Sequence, residues 1–179
     1  MFDLAGLDIG WANRKRQAAT RDPRERYVHI LDLLCEKGHY GQKTGRGFYI
    51  YQEGSRRGEE DPEVLTLIDE ERKRKGITTR SFSEEEIMNR YIAAMVNESC
   101  NVLHEGMASR PSDIDITLLY GYGFPRYRGG PMKYADQVGL PKILDDIKKY
   151  YEEDSFFWNP SPLLVELVEK GQTFESLNK

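Results

Sequence analysis

The sequence predicts an all-α protein of two related helical units, the first truncated at its N-terminus. Three observations predict it. Asp3-Leu-Ala-Gly6-Leu7 recurs 133 residues later as Asp136-Gln-Val-Gly139-Leu140. In the later copy a long amphipathic segment leads into this tail; in the earlier copy almost nothing does. Helix starts and stops recur along the chain, while period-2 alternation is almost absent.

Residues 3 to 15 read as a short helical pair. Asp22-Pro23 offers an N-cap followed by proline at the first helical position. The helix expected there carries Tyr27, Ile30, Leu31 and Leu34 on one stripe and stops at Gly38. The glycine-rich run that follows cannot be helix, and Phe48 to Tyr51 reads as a short extended piece. Residues 53 to 60 read as an exposed loop. Asp61-Pro62 opens a further helix, with Val64, Leu65 and Ile68 inward and the i,i+4 pairs Glu70/Arg74 and Glu71/Lys75 outward, ending at Gly76.

Ser83 and Glu86 form a capping box. The helix after it, to about His104, places Ile87, Met88, Tyr91, Ile92, Met95, Val102 and Leu103 on an apolar face and Arg90, Asn97, Asn101 and His104 opposite. Pro111 opens a helix to Tyr120. Residues 132–136 and 140–151 are helical again, and Ser161-Pro162 starts a last helix. The expected organisation is a first repeat over 1–52, a charged linker with one helix over 53–80, and a second repeat over 81–179.

The bulk properties narrow the function. The 179 residues carry a net charge of −4 with mixed signs, which argues against nucleic acid as the main partner. No apolar run approaches a membrane span, and no signal peptide is visible. Cys35 and Cys100 sit singly in helical patterns and read as reduced, packed thiols; the scattered His29, His39 and His104 form no metal-ligand cluster. The Gly-x-Gly pairs at Gly45/Gly47 and Gly121/Gly123 lack the third glycine of a dinucleotide fingerprint. Gly41-Gln-Lys43-Thr44 departs from a phosphate loop because Gln42 separates glycine from lysine. His104 with Glu105 lies on a polar face, without a nucleophile or oxyanion site. Glu98, at the edge of the apolar stripe, needs a partner or a shifted pKa. The loop Gly121 to Gly130 interleaves Arg126 and Arg128 with Tyr122, Phe124 and Tyr127, and Lys133 follows it. That composition suits a docking surface, a plain structural loop or an anion site.

Three stretches carry a family resemblance: Asp3 to Trp11 (DLAGLDIGW), Gly41 to Tyr51 (GQKTGRGFYIY) and Gly121 to Asp136 (GYGFPRYRGGPMKYAD). They resemble the C-terminal helical domains of NAD-dependent 3-hydroxyacyl-CoA dehydrogenases, nearest to the multifunctional fatty-acid β-oxidation enzymes that join enoyl-CoA hydratase to that dehydrogenase. The resemblance implies a 6-phosphogluconate-dehydrogenase-C-terminal-like fold, repeated. It implies hydride transfer from a 3-hydroxyacyl-CoA to NAD, with the base and the NAD domain upstream of Asp3. No catalytic residue is therefore carried over, no cofactor is expected on this fragment, and the fragment alone is expected to be inactive. Lys43 and Arg46 are the candidates for CoA contact. Trp11, Tyr122, Phe124, Pro125, Arg126, Tyr127, Arg128, Gly129 and Gly130 are the expected packing residues. The implied partners are the upstream NAD-binding domain, the acyl-CoA substrate and a self-associating copy. The terminal Leu177-Asn-Lys179 is not a Ser-Lys-Leu-type address, so the expected location is cytoplasmic, or peroxisomal if the natural terminus is trimmed.

Overall fold

The computed structural model describes residues 2–55 and 57–178; Arg56 of the expected loop and Lys179 of the terminal tripeptide lie outside them. Contacts divide the chain into two compact units, 1–81 and 82–179. Both are helical, as expected. The one sheet among the described residues is a pair of two-residue strands.

The first unit contains α1 (Phe2–Ala5), α2 (Leu7–Gln17), α3 (Ile30–Glu36), β1 (Tyr49–Ile50), β2 (Glu59–Glu60) and α4 (Pro62–Arg74). Its core is small. Leu7, Leu34, Cys35 and Val64 are buried, with Trp11, Ile30, Leu31, Phe48, Leu67 and Ile68 packed around them. The expected helix from Asp22 does not form, and regular helix begins only at Ile30. Instead Asp22 closes a single turn, its carboxylate accepting from Arg24 N at 2.8 Å. The chain beyond is pinned: the Lys75 amine donates to the Tyr27 carbonyl, the Tyr27 hydroxyl donates to Asp32, and the Arg21 guanidinium lies 3.7 Å from the Tyr27 ring centre. Tertiary partners thus override a sound local start signal. The expected loop over 53–60 also gains structure, because Glu59 and Glu60 pair antiparallel with Ile50 and Tyr49.

Asp61 caps α4 by accepting from Glu63 N at 3.0 Å. The apolar face of α4 lies on the first unit's core. Glu71 pairs with Lys75 at 3.0 Å as expected, but Arg74 turns to Glu71 rather than Glu70, and Glu71 is buried rather than solvated.

The second unit contains α5 (Glu84–His104), α6 (Pro111–Gly121), α7 (Pro131–Val138), α8 (Leu140–Tyr151) and α9 (Pro162–Glu169). Ser83 caps α5 through Glu86 N at 3.1 Å. Proline opens α6, α7 and α9, where a missing N–H costs nothing. Ile92, Val96 and Cys100 of α5 pack against Leu140, Ile143, Leu144 and Ile147 of α8 and Leu164 and Leu167 of α9. Burial pushes both cysteine thiols up in pKa, which suppresses the reactive thiolate.

Two expectations for α5 are corrected. Asn97, placed on the polar face, is buried; its amide donates to Asn159 O and accepts from Ser161 N, both at 2.8 Å. It holds the turn into α9. Asn97→Ala strands two backbone groups, and urea unfolding should show a loss of about 1.5 kcal/mol. Conversely Ile87, Met88 and Tyr91, expected in the core, are exposed. α8 and α9 cover one side of a stripe wider than they can bury.

The repeated pentapeptide has the same local geometry twice. Gly6 and Gly139 have φ/ψ of 101/123° and 98/121°. The Asp3 carboxylate accepts from Phe48 N and Tyr49 N, each at 3.1 Å; the Asp136 carboxylate accepts from Phe174 N and Glu175 N, each at 2.9 Å. Leu34 and Gly38 match Leu167 and Gly171 at the same offset. The difference is Gly41 to Gly47, which has no counterpart between Thr173 and Phe174.

Candidate functional site

Gly41 to Gly47 forms a closed turn in the first unit. Gly41 N donates to Arg46 O at 2.8 Å, and Arg46 N returns a bond to Gly41 O at 3.1 Å. Thr44 Oγ1 accepts from Tyr40 N at 2.9 Å. A Cβ on Gly41 would stand 2.2 Å from the Asp3 carbonyl, so only glycine permits this approach of turn to α1. The Tyr51 hydroxyl donates to Asp3 at 3.0 Å; burial, and then that carboxylate, push its pKa up to about 12.

The two cations of this turn have different surroundings. Lys43 Nζ is 2.6 Å from Asp8 Oδ1 and about half exposed, and the lysine holds the Asp8 carboxyl below its usual range. Arg46 makes a two-pronged contact with Asp61 at 2.7 and 2.9 Å and reaches Glu63 at 2.7 Å. Asp61 is 1% exposed. Arg46 is thereby fixed as the clamp between the turn and α4. The 3-10 turn at Gln42–Thr44 leads into no long helix, unlike a phosphate loop.

In the second unit, Phe124 is buried and anchors the loop after α6, its amide bonding to Leu118 O at 3.0 Å. Pro125 leads into a 3-10 turn at Arg126–Arg128, and Gly129 and Gly130 have φ of 75° and 107°. Asp115 of α6 accepts from Met132 N at 2.7 Å and Lys133 N at 3.1 Å, satisfying the first amides of α7. Tyr122 and Tyr127 are largely exposed. The three cations here have separate partners: Arg126 lies 5.2 Å from the Tyr120 ring centre, Arg128 lies 4.5 Å from that of Tyr134, and Lys133 pairs with Glu175 at 3.2 Å. Trp11, in the first unit, is half buried beneath the Lys15 ammonium, 3.3 Å from its ring centre.

His104 is exposed at the end of α5. Glu98 is exposed as well, meeting Asn101 at 3.4 Å rather than a buried partner. No metal-ligand cluster occurs among the described residues. Neither Gly-x-Gly pair joins a parallel strand to a helix, so neither forms a dinucleotide fingerprint. Sequence reasoning missed Asp61, Asp115 and Asn97 as anchors, whereas Asp3 and Asp136 had a visible signal in the repeat.

The family model described as 3-hydroxyacyl-CoA dehydrogenase, C-terminal domain, matches residues 1–51 and 87–176. The chain belongs to that family. It is 42% identical to the peroxisomal bifunctional enzyme of Danio rerio over 96% of its own length and 26% of that protein. It is 40% identical to the Homo sapiens enzyme of the same name, over 94% of the chain and 25% of the relative. The dehydrogenase part of multifunctional enzyme 1 from C. elegans superposes with a TM-score of 0.68 at 25% identity, covering 92% of this chain and 37% of that one. The chain thus spans about a quarter of the length of the curated relatives. The expected cytoplasmic location finds no support in these relatives, whose names are peroxisomal.

Proposed function

We propose that this chain is the C-terminal helical portion of an NAD-dependent 3-hydroxyacyl-CoA dehydrogenase of peroxisomal fatty-acid β-oxidation, and that it closes the acyl-CoA side and packs domains. The carrying observation is the twice-used Asp-x-x-Gly-Leu cradle, within a chain whose family match covers both of its copies. On this reading the chain is two related repeats, and α4 belongs to the first. NAD is bound upstream, since the glycine pairs here are turn and helix-end residues. The hydride and proton steps take place in the upstream part, and these units position the substrate.

Lys43 is the cation suited to a CoA phosphate. It is half exposed and held by one surface carboxylate, so it can exchange Asp8 for a ligand. Arg46 acts indirectly, by fixing the turn. Trp11 and the loop from Tyr122 to Gly130 serve packing: Phe124 and the two glycines set its shape, and Tyr122, Arg126, Tyr127 and Arg128 face a partner surface.

Two measurements test this reading. The isolated chain, given NADH and acetoacetyl-CoA, should show no loss of NADH absorbance, and turnover would refute it. In the complete parent enzyme, Lys43→Ala should raise KM for acyl-CoA about fivefold and leave kcat unchanged, as loss of uniform binding predicts. An unchanged KM removes Lys43 from the substrate site.

A further inference from the structure

The turn between α8 and α9 carries three consecutive aromatic residues, two of which the core leaves in solvent. Phe156 and Phe157 are 40% and 62% exposed, while Trp158 is buried. The turn is fixed from both ends. The Asp154 carboxylate accepts from Phe157 N at 3.0 Å, Trp158 N donates to Asp154 O at 3.0 Å, and the Asn97 amide donates to Asn159 O at 2.8 Å. Trp158 packs on Tyr150 with ring centres 4.8 Å apart, and Phe157 meets Trp158 at 5.1 Å with the ring planes at 83°. Between this turn and α5 lies a cavity of about 390 Å³, lined by the three aromatic residues together with Asn97, Glu98 and Asn101. That volume suits a small ligand, and walls already fixed in place keep the ordering cost of binding low.

We propose that this cavity binds an organic cation, a guanidinium group, stacked on the aromatic residues with Glu98 as its counter-ion. Glu98 is the one charged residue of the lining, and no lysine or arginine shares it. Among the described residues the Glu98 carboxylate has no cation within ion-pair distance; the Asn101 amide reaches it at 3.4 Å. Aromatic faces attract cations through the negative charge above the ring. Ring faces and carboxylate therefore favour the same sign of charge, and both oppose an anion. The phosphates of an acyl-CoA are repelled on that ground, which separates this cavity from a CoA site. Guanidinium suits it better than ammonium. It is flat and weakly hydrated, it stacks on rings, and it donates to a carboxylate through two N–H groups at once. The carbonyl oxygen of the Asn101 side chain is a further acceptor beside Glu98.

The proposal does not rest on the dehydrogenase reading, and none of its residues belongs to the Gly41–Gly47 turn. The chain has two tryptophans, so the indole N–H signals of a nitrogen-resolved NMR spectrum report on the cavity directly. On titration with N-acetylarginine amide to about 20 mM, the Trp158 signal should shift with a dissociation constant of about 1–5 mM while that of Trp11 stays in place. The neutral N-acetylcitrulline amide, close to it in shape, should bind about tenfold more weakly or worse. Glu98→Gln and Phe157→Ala change exposed side chains. Each should weaken binding about three- to fivefold and keep the circular dichroism of the parent. A capped Gly-Arg-Gly peptide distinguishes the source of the guanidinium. Binding about tenfold tighter than that of the single residue assigns the cavity to an arginine of a polypeptide; equal or weaker binding assigns it to a free small molecule. A Trp158 signal unmoved by both guanidinium probes overturns the proposal. So does equal binding of the citrulline amide, or an affinity unchanged in Glu98→Gln.

Discussion

Gly130→Ala is expected to unfold the second unit more readily than any other single-methyl addition in its surface loops, lowering its stability by about 3–5 kcal/mol. The position is constrained twice. Its φ of 107° lies where an L side chain is strained. An added Cβ would stand 2.3 Å from Asp115 Oδ1 and 2.4 Å from Asp115 Cγ. No rotation of the alanine relieves that overlap, so Asp115 must move. When it moves, Met132 N and Lys133 N lose their acceptor, and the first belongs to a fully buried residue. A stranded buried amide costs about 1–3 kcal/mol beyond the strain. Gly121→Ala supplies the control: its φ is not positive and nothing lies within 4 Å of its Cβ. Chemical denaturation should leave that variant within about 0.5 kcal/mol of the parent. Equal midpoints for the two variants would mean that Asp115 does not organise the loop, and the packing role of Tyr122 to Gly130 would lose its basis.

The same pair of residues shows what a sequence can and cannot convey. The proline before Met132 and the glycines before it mark a helix start, and that much is local chemistry. That Asp115, seventeen residues before Met132, reaches forward to hold that start is not local, and Asp115 on its own reads as an ordinary polar residue of α6. Asn97 is a stronger case. By helical period it belongs with Arg90 and Asn101 on the polar face, yet the turn before Ser161 folds over it and supplies both its partners. Helix ends at Ser83, Pro111, Pro162 and Gly76 were legible because each is set by residues within a turn of one another. Asp22-Pro23 failed for the complementary reason: its start signal is genuine, but Lys75 and Arg21 hold Tyr27 in a different course. The candidate site was legible in outline, because the glycines of the Gly41–Gly47 turn and the repeated aspartate are sequence features. The division of labour between Lys43 and Arg46 was not, since it depends on Asp61, which arrives from α4.

That division yields the second large effect. Asp61→Ala should lower the stability of the first unit by about 2–3 kcal/mol and loosen the turn that carries Lys43. Three groups lose their acceptor: Glu63 N, and Arg46 through two nitrogens. Loss of the cap alone costs about 1 kcal/mol. Charge-assisted bonds add about 1.5–3 kcal/mol, less here because Arg46 is a third exposed and keeps Glu63 at 2.7 Å. The effect must depend on pH in one direction. The Arg46 side chain, bonded to Asp61, holds that carboxyl below its ordinary 3.8. The unfolded chain therefore binds the proton first as pH falls. The stabilisation by Asp61 is complete above its ordinary pKa and is lost as pH drops through 3.8 toward the lower folded value. The gap between the parent and Asp61→Ala should accordingly be widest at neutral pH and narrow below pH 4. Thermal melts at a series of pH values would show it. A gap that stayed constant down to about pH 2 would mean that Asp61 contributes packing and not charge, and Arg46 would then be free to meet substrate alongside Lys43.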